Sequence, residues 1–171
     1  MDDRQWLFPF PPRLAAPLAR PPRNGFVIMN EITLRLPDQW QALRDSAQQA
    51  RTNAWAPYSR FPVGAALLTN CGKIFAGCNV ENASSGLTIC AERTAVCAAV
   101  AQGHREFSAI WITLSGLPLP CGACRQFLSE FNPQLLLILD SADATKDSNP
   151  RLVLLSELFP EPFQLPSRPE Q

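Results

Sequence analysis

Neither sign of charge is in excess, with Lys+Arg and Asp+Glu at 15 each. A chain without net charge offers no broad electrostatic footprint for nucleic acid or for an anionic membrane surface. A small neutral ligand suits it better than a polyanion. No apolar run approaches the roughly 20 residues that span a bilayer. A secretory signal is also missing: the best candidate, Leu14–Leu18, is short and broken by Pro17. The six cysteines are therefore read as reduced thiols of a cytoplasmic protein rather than as a disulfide framework. No internal repeat is visible, and 171 residues suffice for one domain with a real core.

What the chain does contain is unevenly spread. Pro9, Pro11, Pro12, Pro17, Pro21 and Pro22 crowd residues 1–28, which show neither helical nor strand periodicity. Two readings stand: a disordered extension, or a leader upstream of a true start at Met29. Residues 29–163 are assigned to the folded domain and 164–171 to a tail, in a stretch that is proline-rich from Pro160 onward.

Inside the domain, helix and strand patterns alternate. Pro37 suits a first helical turn, and Trp40, Leu43, Ala47, Ala50 and Ala54 continue at helical spacing to about Asn53. Val63–Thr69 and Ile74–Val80 flank the turn Asn70-Cys71-Gly72-Lys73 and predict an antiparallel hairpin. A helix is expected from Cys90 to about Gln102, closed by Gly103, then a strand at Ser108–Leu114 and a helix at Cys121–Phe131. Strands follow at Leu135–Leu139 and Leu152–Leu155, with Ser156 capping a helical turn through Phe159. The connection from Asp140 to Pro150 is polar and lacks helical spacing, so the last two strands are expected to meet antiparallel. Solidly apolar strands imply a sheet covered on both faces. The expected fold is α/β, a three-layer α/β/α sandwich around a five-stranded mixed sheet.

Two segments carry chemistry: Cys90-Ala91-Glu92, and further on Pro120-Cys121-Gly122-Ala123-Cys124. Three thiolates can hold a zinc ion and leave its fourth position open for water, which separates a catalytic zinc from a structural one. Both segments start a helix, where the unpaired N–H groups and the helix dipole favour anions and a thiol ionises more readily. Cys121 and Cys124, three apart on one turn, can face a common point. Cys90 must come from the other helix, and neighbouring parallel strands are expected to bring the two helix starts together. Glu92 is placed to move protons at the water. Zinc with three thiolates carries net negative charge, which weakens its pull on that water. Arg93 or Arg125 can hydrogen-bond the sulfurs and restore it, and Arg93 is favoured.

Blander readings exist for each feature. Arg93 can be a solvent-facing arginine, and Glu92 a first-turn acid favoured by the dipole. Cys121-Gly122-Ala123-Cys124 can be a thioredoxin-like redox pair, although Cys90-Ala91-Glu92 then goes unexplained. A structural zinc needs a fourth ligand. Cys97 does not supply it, being about 10 Å along the axis from Cys90. Cys97 is read as a small buried hydrophobe on the Cys90 face. Cys71 and Cys78 are read as structural or incidental.

The pattern C-x-E followed by P-C-x-x-C is the all-cysteine form of the zinc deaminase signature. With Tyr58-Ser59-Arg60-Phe61-Pro62-Val63-Gly64-Ala65-Ala66 and Gly77-Cys78-Asn79-Val80-Glu81-Asn82-Ala83, it resembles the cytidine deaminase family of the small, zinc-dependent, homotetrameric type. The similarity runs from about Ile32 to Phe163. It implies zinc on Cys90, Cys121 and Cys124, with Glu92 as proton shuttle. It further implies Asn79 and Glu81 on the ribose hydroxyls, Phe61 stacked on the pyrimidine, and base contacts from the backbone of Ala91 and the chain near Ala83. Phe163 is implied to reach the ligand of a neighbouring subunit. From the residues alone, Asn79 and Glu81 also read as polar turn residues and Phe61 as a core aromatic.

The chain departs from the family at Leu119, where serine is frequent, and in the short loop Ser115–Pro120; both bear on the pocket rim. The implied reaction is hydrolytic deamination of cytidine and 2′-deoxycytidine for pyrimidine salvage, with a nucleoside substrate, no nucleic-acid partner and no membrane. Three rivals are weighed against it. A nucleic-acid base deaminase is opposed by the neutral charge and by the antiparallel last strands. A deaminase for another small molecule, such as a nucleoside antibiotic, is opposed by the two motifs before Cys90. A zinc-stabilised binding module has no use for Glu92.

Overall fold

The computed structural model describes residues 37–143 and 149–165. Helix α1 (Pro37–Thr52) leads to the hairpin β1 (Gly64–Thr69) and β2 (Ile74–Cys78). A short 3-10 turn at Ser85–Leu87 precedes α2 (Ala91–Ala101). Then come β3 (Phe107–Leu114), α3 (Gly122–Ser129), β4 (Leu136–Ser141), β5 (Arg151–Leu154) and α4 (Leu155–Leu158). The five strands form one sheet in the order β2-β1-β3-β4-β5. β3 and β4 run parallel, with Ala109 opposite Leu136 and Leu114 opposite Ser141. The other pairs are antiparallel, including β4 with β5 as the polar connection predicts. The sheet is therefore mixed, and the α/β sandwich stands.

Strand side chains alternate between two cores. On one face, Leu67, Ile110, Ile112, Leu137 and Val153 pack against Ala91, Ala95, Val96 and Ala99 of α2 and Leu128 of α3. On the other, Ala66, Leu68, Ala109, Trp111, Leu136 and Ile138 meet Leu43 and Ala47 of α1. Every residue of β1 is buried, which explains its unbroken apolar run. Trp40 meets Trp111 edge-on, with centroids 5.1 Å apart and planes at 81°. Such a pair contributes about 0.5–1.5 kcal/mol beyond its buried area. Trp111 also donates through Nε1 to buried Asp140 at 3.3 Å, and Arg44 pairs with the same carboxylate at 3.3 Å. No helix among the described residues is long and apolar enough to cross a membrane.

Three expectations need correction. The strands that feed the two site helices, β2 and β3, point the same way but are not neighbours; β1 lies between them. Cys97 is exposed, not buried. The inner face of α2 is set by Ala91, Ala95 and Ala99, whose four-residue spacing turns Cys97 outward. Ser156 does not cap α4. Leu154 holds that position, and its N–H donates to Glu157 Oε1 at 3.0 Å, while Ser156 Oγ donates to Gln134 Oε1 at 3.2 Å.

The remaining differences are small. β2 ends two residues early because Val80 leaves the sheet to bridge Trp55 and Ile89. The predicted boundary at residues 28 and 29 lies outside the described residues, as does most of the predicted 164–171 tail.

Candidate functional site

Each site helix opens on a cysteine. Cys90 is the N-cap of α2 and Cys121 the N-cap of α3, both with extended backbone, and neither sulfur bonds to its own helix's first-turn amides. The caps are thereby left free to point at each other, with sulfurs 3.9 Å apart. Cys124, one turn into α3, is fully buried. All three sulfurs lie within 4.8 Å of one another. A tetrahedral zinc with bonds of about 2.3 Å needs sulfurs spaced by about 3.8 Å, so this donor set fits the ion with little movement.

The protonation states follow from the same proximity. Cys90 is pulled down to about 5 because the Cys124 thiol donates to it and the Arg93 guanidinium adds its charge. Cys124 is pushed up, first by that bond to Cys90, then by burial and by the charge of Glu92. A cation bound among the sulfurs displaces their protons. Arg93 Nη2 reaches Cys90 Sγ at 3.7 Å and the Thr88 carbonyl at 3.1 Å. Its Nε is buried without a partner. Arg125 turns away, its Nε to Pro120 O at 2.9 Å and Nη1 to Leu158 O at 3.0 Å. The sulfur-facing arginine is thus Arg93.

Glu92 is 4 % exposed. Burial raises its carboxyl above the ordinary value, and the neighbouring Cys90 thiolate adds to the effect. A carboxyl tuned upward in this way can both accept and return a proton.

The segment after β2 is brought to the sulfurs by backbone contact. Gly77 lies against the first turn of α2: a Cβ there would stand 2.6 Å from Ala91 O and 2.4 Å from Ala95 N. Val80 exchanges two hydrogen bonds with Ile89, the residue before Cys90. Buried Asn79 accepts from Val63 N at 2.8 Å and donates to Phe61 O at 2.9 Å, so it organises the chain that presents Phe61, 42 % exposed. Glu81 accepts from Tyr58 N at 2.9 Å, Ser59 N at 3.2 Å and the Ser59 hydroxyl. These bonds, the hydroxyl's first, hold its carboxyl below the ordinary range. Arg60, between Ser59 and Phe61, takes a left-handed φ of 56°.

Ala91 is fully buried beside Cys90. Phe163 is 69 % exposed and is held by its backbone to α3: Gln126 donates to its carbonyl and accepts from its amide, both at 2.9 Å. Cys90, Ala91, Glu92, Arg93, Asn79, Glu81 and Phe61 thus form one connected region with Cys121 and Cys124, and the segment of Phe163 is tied to α3 at Gln126. The clamp made by Ser59 has no sequence signal beyond its place in the Tyr58–Ala66 motif, and the clamp made by Gln126 has none. Two clefts, of about 620 Å³ between α1, β2 and α2 and about 410 Å³ at the β1–β2 turn, are lined by none of the three cysteines; the sulfur cluster opens at the surface, with Cys121 exposed.

Comparison with known proteins gives a consistent answer. Residues 37–139 match the family model for the cytidine and deoxycytidylate deaminase zinc-binding region. A cytidine deaminase of Mycobacterium tuberculosis is 41% identical over 139 residues, covering 80% of this chain and 98% of that protein. A probable cytidine deaminase of Dictyostelium discoideum is 57% identical over 91 residues, spanning 51% of this chain and 61% of its relative. Among solved structures, cytidine deaminase from Burkholderia pseudomallei superposes with a TM-score of 0.66 at 48% identity, covering 72% of this chain and 98% of that one.

Proposed function

Because the chain belongs to the zinc-binding cytidine and deoxycytidylate deaminase family, we propose that it hydrolyses cytidine and 2′-deoxycytidine to uridine and 2′-deoxyuridine, releasing ammonia, in pyrimidine salvage. The observation that carries the reading is a buried carboxyl, Glu92, next in the chain but one to a sulfur triad spaced for one tetrahedral ion.

Cys90, Cys121 and Cys124 would hold zinc, which would supply Lewis acidity and lower the pKa of water from about 15.7 toward 7. Glu92 takes the first proton of the attacking water and passes it to the ring nitrogen, then takes the second from the hydroxyl left on the ring carbon and delivers it to the amino group, which departs as ammonia. Its raised pKa supports that shuttle. Arg93 offsets the negative charge of the thiolates. Phe61 stacks on the pyrimidine, and its exposure supports the role. Asn79 and Glu81 keep acceptor capacity beyond their internal bonds and take the ribose hydroxyls. The backbone of Ala91 meets the base.

The family's homotetramer is part of the proposal. Trp55, Tyr58, Leu87 and Phe163 are each more than 60 % exposed around the site, an apolar surface that a second copy would cover. Phe163 then closes a neighbouring copy's ligand. A reducing, cytoplasmic setting suits a centre that works as thiolates. Residues 29–163 make up the catalytic domain in this reading.

The direct test is the fall in ultraviolet absorbance when zinc-loaded protein meets cytidine or 2′-deoxycytidine, with cytosine, adenosine and single-stranded DNA as comparators. Turnover of cytidine and deoxycytidine alone is expected. Turnover of the DNA, or of none of the five, would overturn the reading.

A further inference from the structure

Arg51 belongs to none of the motifs above, yet it joins two segments that build the site. It lies in the last turn of α1. Its Nε donates to Pro62 O at 3.1 Å and its Nη2 to Ser115 Oγ at 3.1 Å. Pro62 sits between Phe61, whose carbonyl is held by Asn79, and Val63, whose amide is held by the same side chain. Three successive residues of the Phe61 segment are therefore gripped by two side chains from other elements. Ser115, the second partner of Arg51, opens the short loop that delivers Cys121.

The base of the Arg51 side chain is rigid. A Cβ on Gly64 would stand 2.6 Å from Arg51 N and 2.0 Å from Ala47 O, so the end of α1 rests directly on the β1 backbone. From that base, a planar guanidinium with donors at fixed angles spans the gap between Pro62 and Ser115.

We propose that Arg51 is a positioning residue for the deamination: it sets the spacing between the Phe61 segment and the loop that ends at Cys121. The inference rests on the roles given to Phe61 and Cys121 under the proposed function. Arg51 acts through Pro62 and Ser115, and its effect falls on how the pyrimidine is held between the aromatic shelf and the metal cluster.

The experiment compares zinc-loaded wild type with Arg51→Met, Arg51→Lys and Ser115→Ala by cytidine kinetics and amide hydrogen exchange. Arg51→Met keeps the apolar stem and loses both donors. Its KM is expected to rise about tenfold, the weight of one charge-assisted hydrogen bond, with a smaller change in kcat and unchanged zinc content. Arg51→Lys recovers part of the loss, since an ammonium reaches one acceptor without the fork. Adding Ser115→Ala to Arg51→Met gives less than the sum of the two single effects.

Exchange at residues 60–64 and 115–120 is expected to quicken together, with β3 and β4 unaffected. If Arg51→Met does not fold, Ser115→Ala carries the same expectation for KM and for paired exchange. A fall in melting temperature with KM unchanged would overturn the proposal, as would faster exchange in only one of the two segments. Wild type that ignores cytidine would overturn the assigned reaction instead, while the exchange result would still decide whether Arg51 couples the two segments.

Discussion

Gln126 and Phe163 are tied by a reciprocal pair of hydrogen bonds, the side-chain amide of one donating to and accepting from the backbone of the other, each at 2.9 Å. Gln126 lies two residues beyond Cys124, so the segment that carries Phe163 is fastened to the helix that carries two of the metal ligands. The pair is exposed and water competes for it, so its weight in stability is at the low end of about 0.5–1.5 kcal/mol per bond. Gln126→Ala is expected to leave zinc content and melting temperature nearly unchanged and to raise KM for cytidine several-fold. Steady-state kinetics beside a metal assay check this, and an unchanged KM would separate Phe163 from the ligand.

Glu92→Gln preserves shape and removes the proton carrier. Loss of general acid–base catalysis costs about 10²–10⁴-fold in rate. The variant should bind zinc in the wild-type ratio and show kcat reduced by at least that lower bound. Wild-type turnover in this variant would take Glu92 out of the reaction.

The same substitution has a pH signature in metal-stripped protein. Burial and the Cys90 thiolate raise the Glu92 pKa in the folded state. Linkage fixes the sign: a carboxyl with a raised folded pKa favours folding fully below its unfolded value, and that contribution is lost as pH climbs through the folded one. Glu92→Gln should therefore match wild type near pH 4 and melt progressively higher than wild type as pH rises, by about 2–4 °C for each kcal/mol relieved. Parallel melting curves at pH 4 to 8 provide the check; a constant offset contradicts the assignment.

Arg93→Ala removes the cation from beside Cys90 and frees the Thr88 carbonyl. Groups that support metal ligands typically cost about 10–100-fold in activity or metal affinity when lost. The expected outcome is a drop of that size in kcat or in zinc affinity. A competition titration with a chelator, run with the rate assay, reads both.

Gly77→Ala tests the close approach of β2 to α2. The new methyl would meet backbone atoms at 2.4 and 2.6 Å, which cannot rotate away. Overpacking of this kind costs typically about 1–3 kcal/mol. Lower melting temperature with weaker zinc retention is expected, because Gly77 faces the turn that follows Cys90.

Local patterns in the chain place every strand and α-helix among the described residues to within a few residues, because β1, β3 and β4 are buried on both faces and read as unbroken apolar runs. The cysteine triad and Glu92 were equally legible, since caps and first-turn positions are set by short spacing. What failed depended on distance in the fold. The insertion of β1 between β2 and β3 is a matter of pairing order, which periodicity does not encode. Counting from Cys90 puts Cys97 inward, but a cap residue lies outside the helical rotation that Ala91, Ala95 and Ala99 define. The links of Arg51 to Pro62 and Ser115, and of Gln126 to Phe163, join segments that no local spacing connects.

The sulfur triad also has a mechanical side. Its members stand at the heads of two helices fed by strands that are not adjacent in the sheet. An ion seated there is a cross-link as well as a reagent, closing a long stretch of chain much as a covalent bridge would. How long the folded enzyme survives heat or proteases should then track the supply of free zinc, so that metal starvation lowers its abundance as well as its rate.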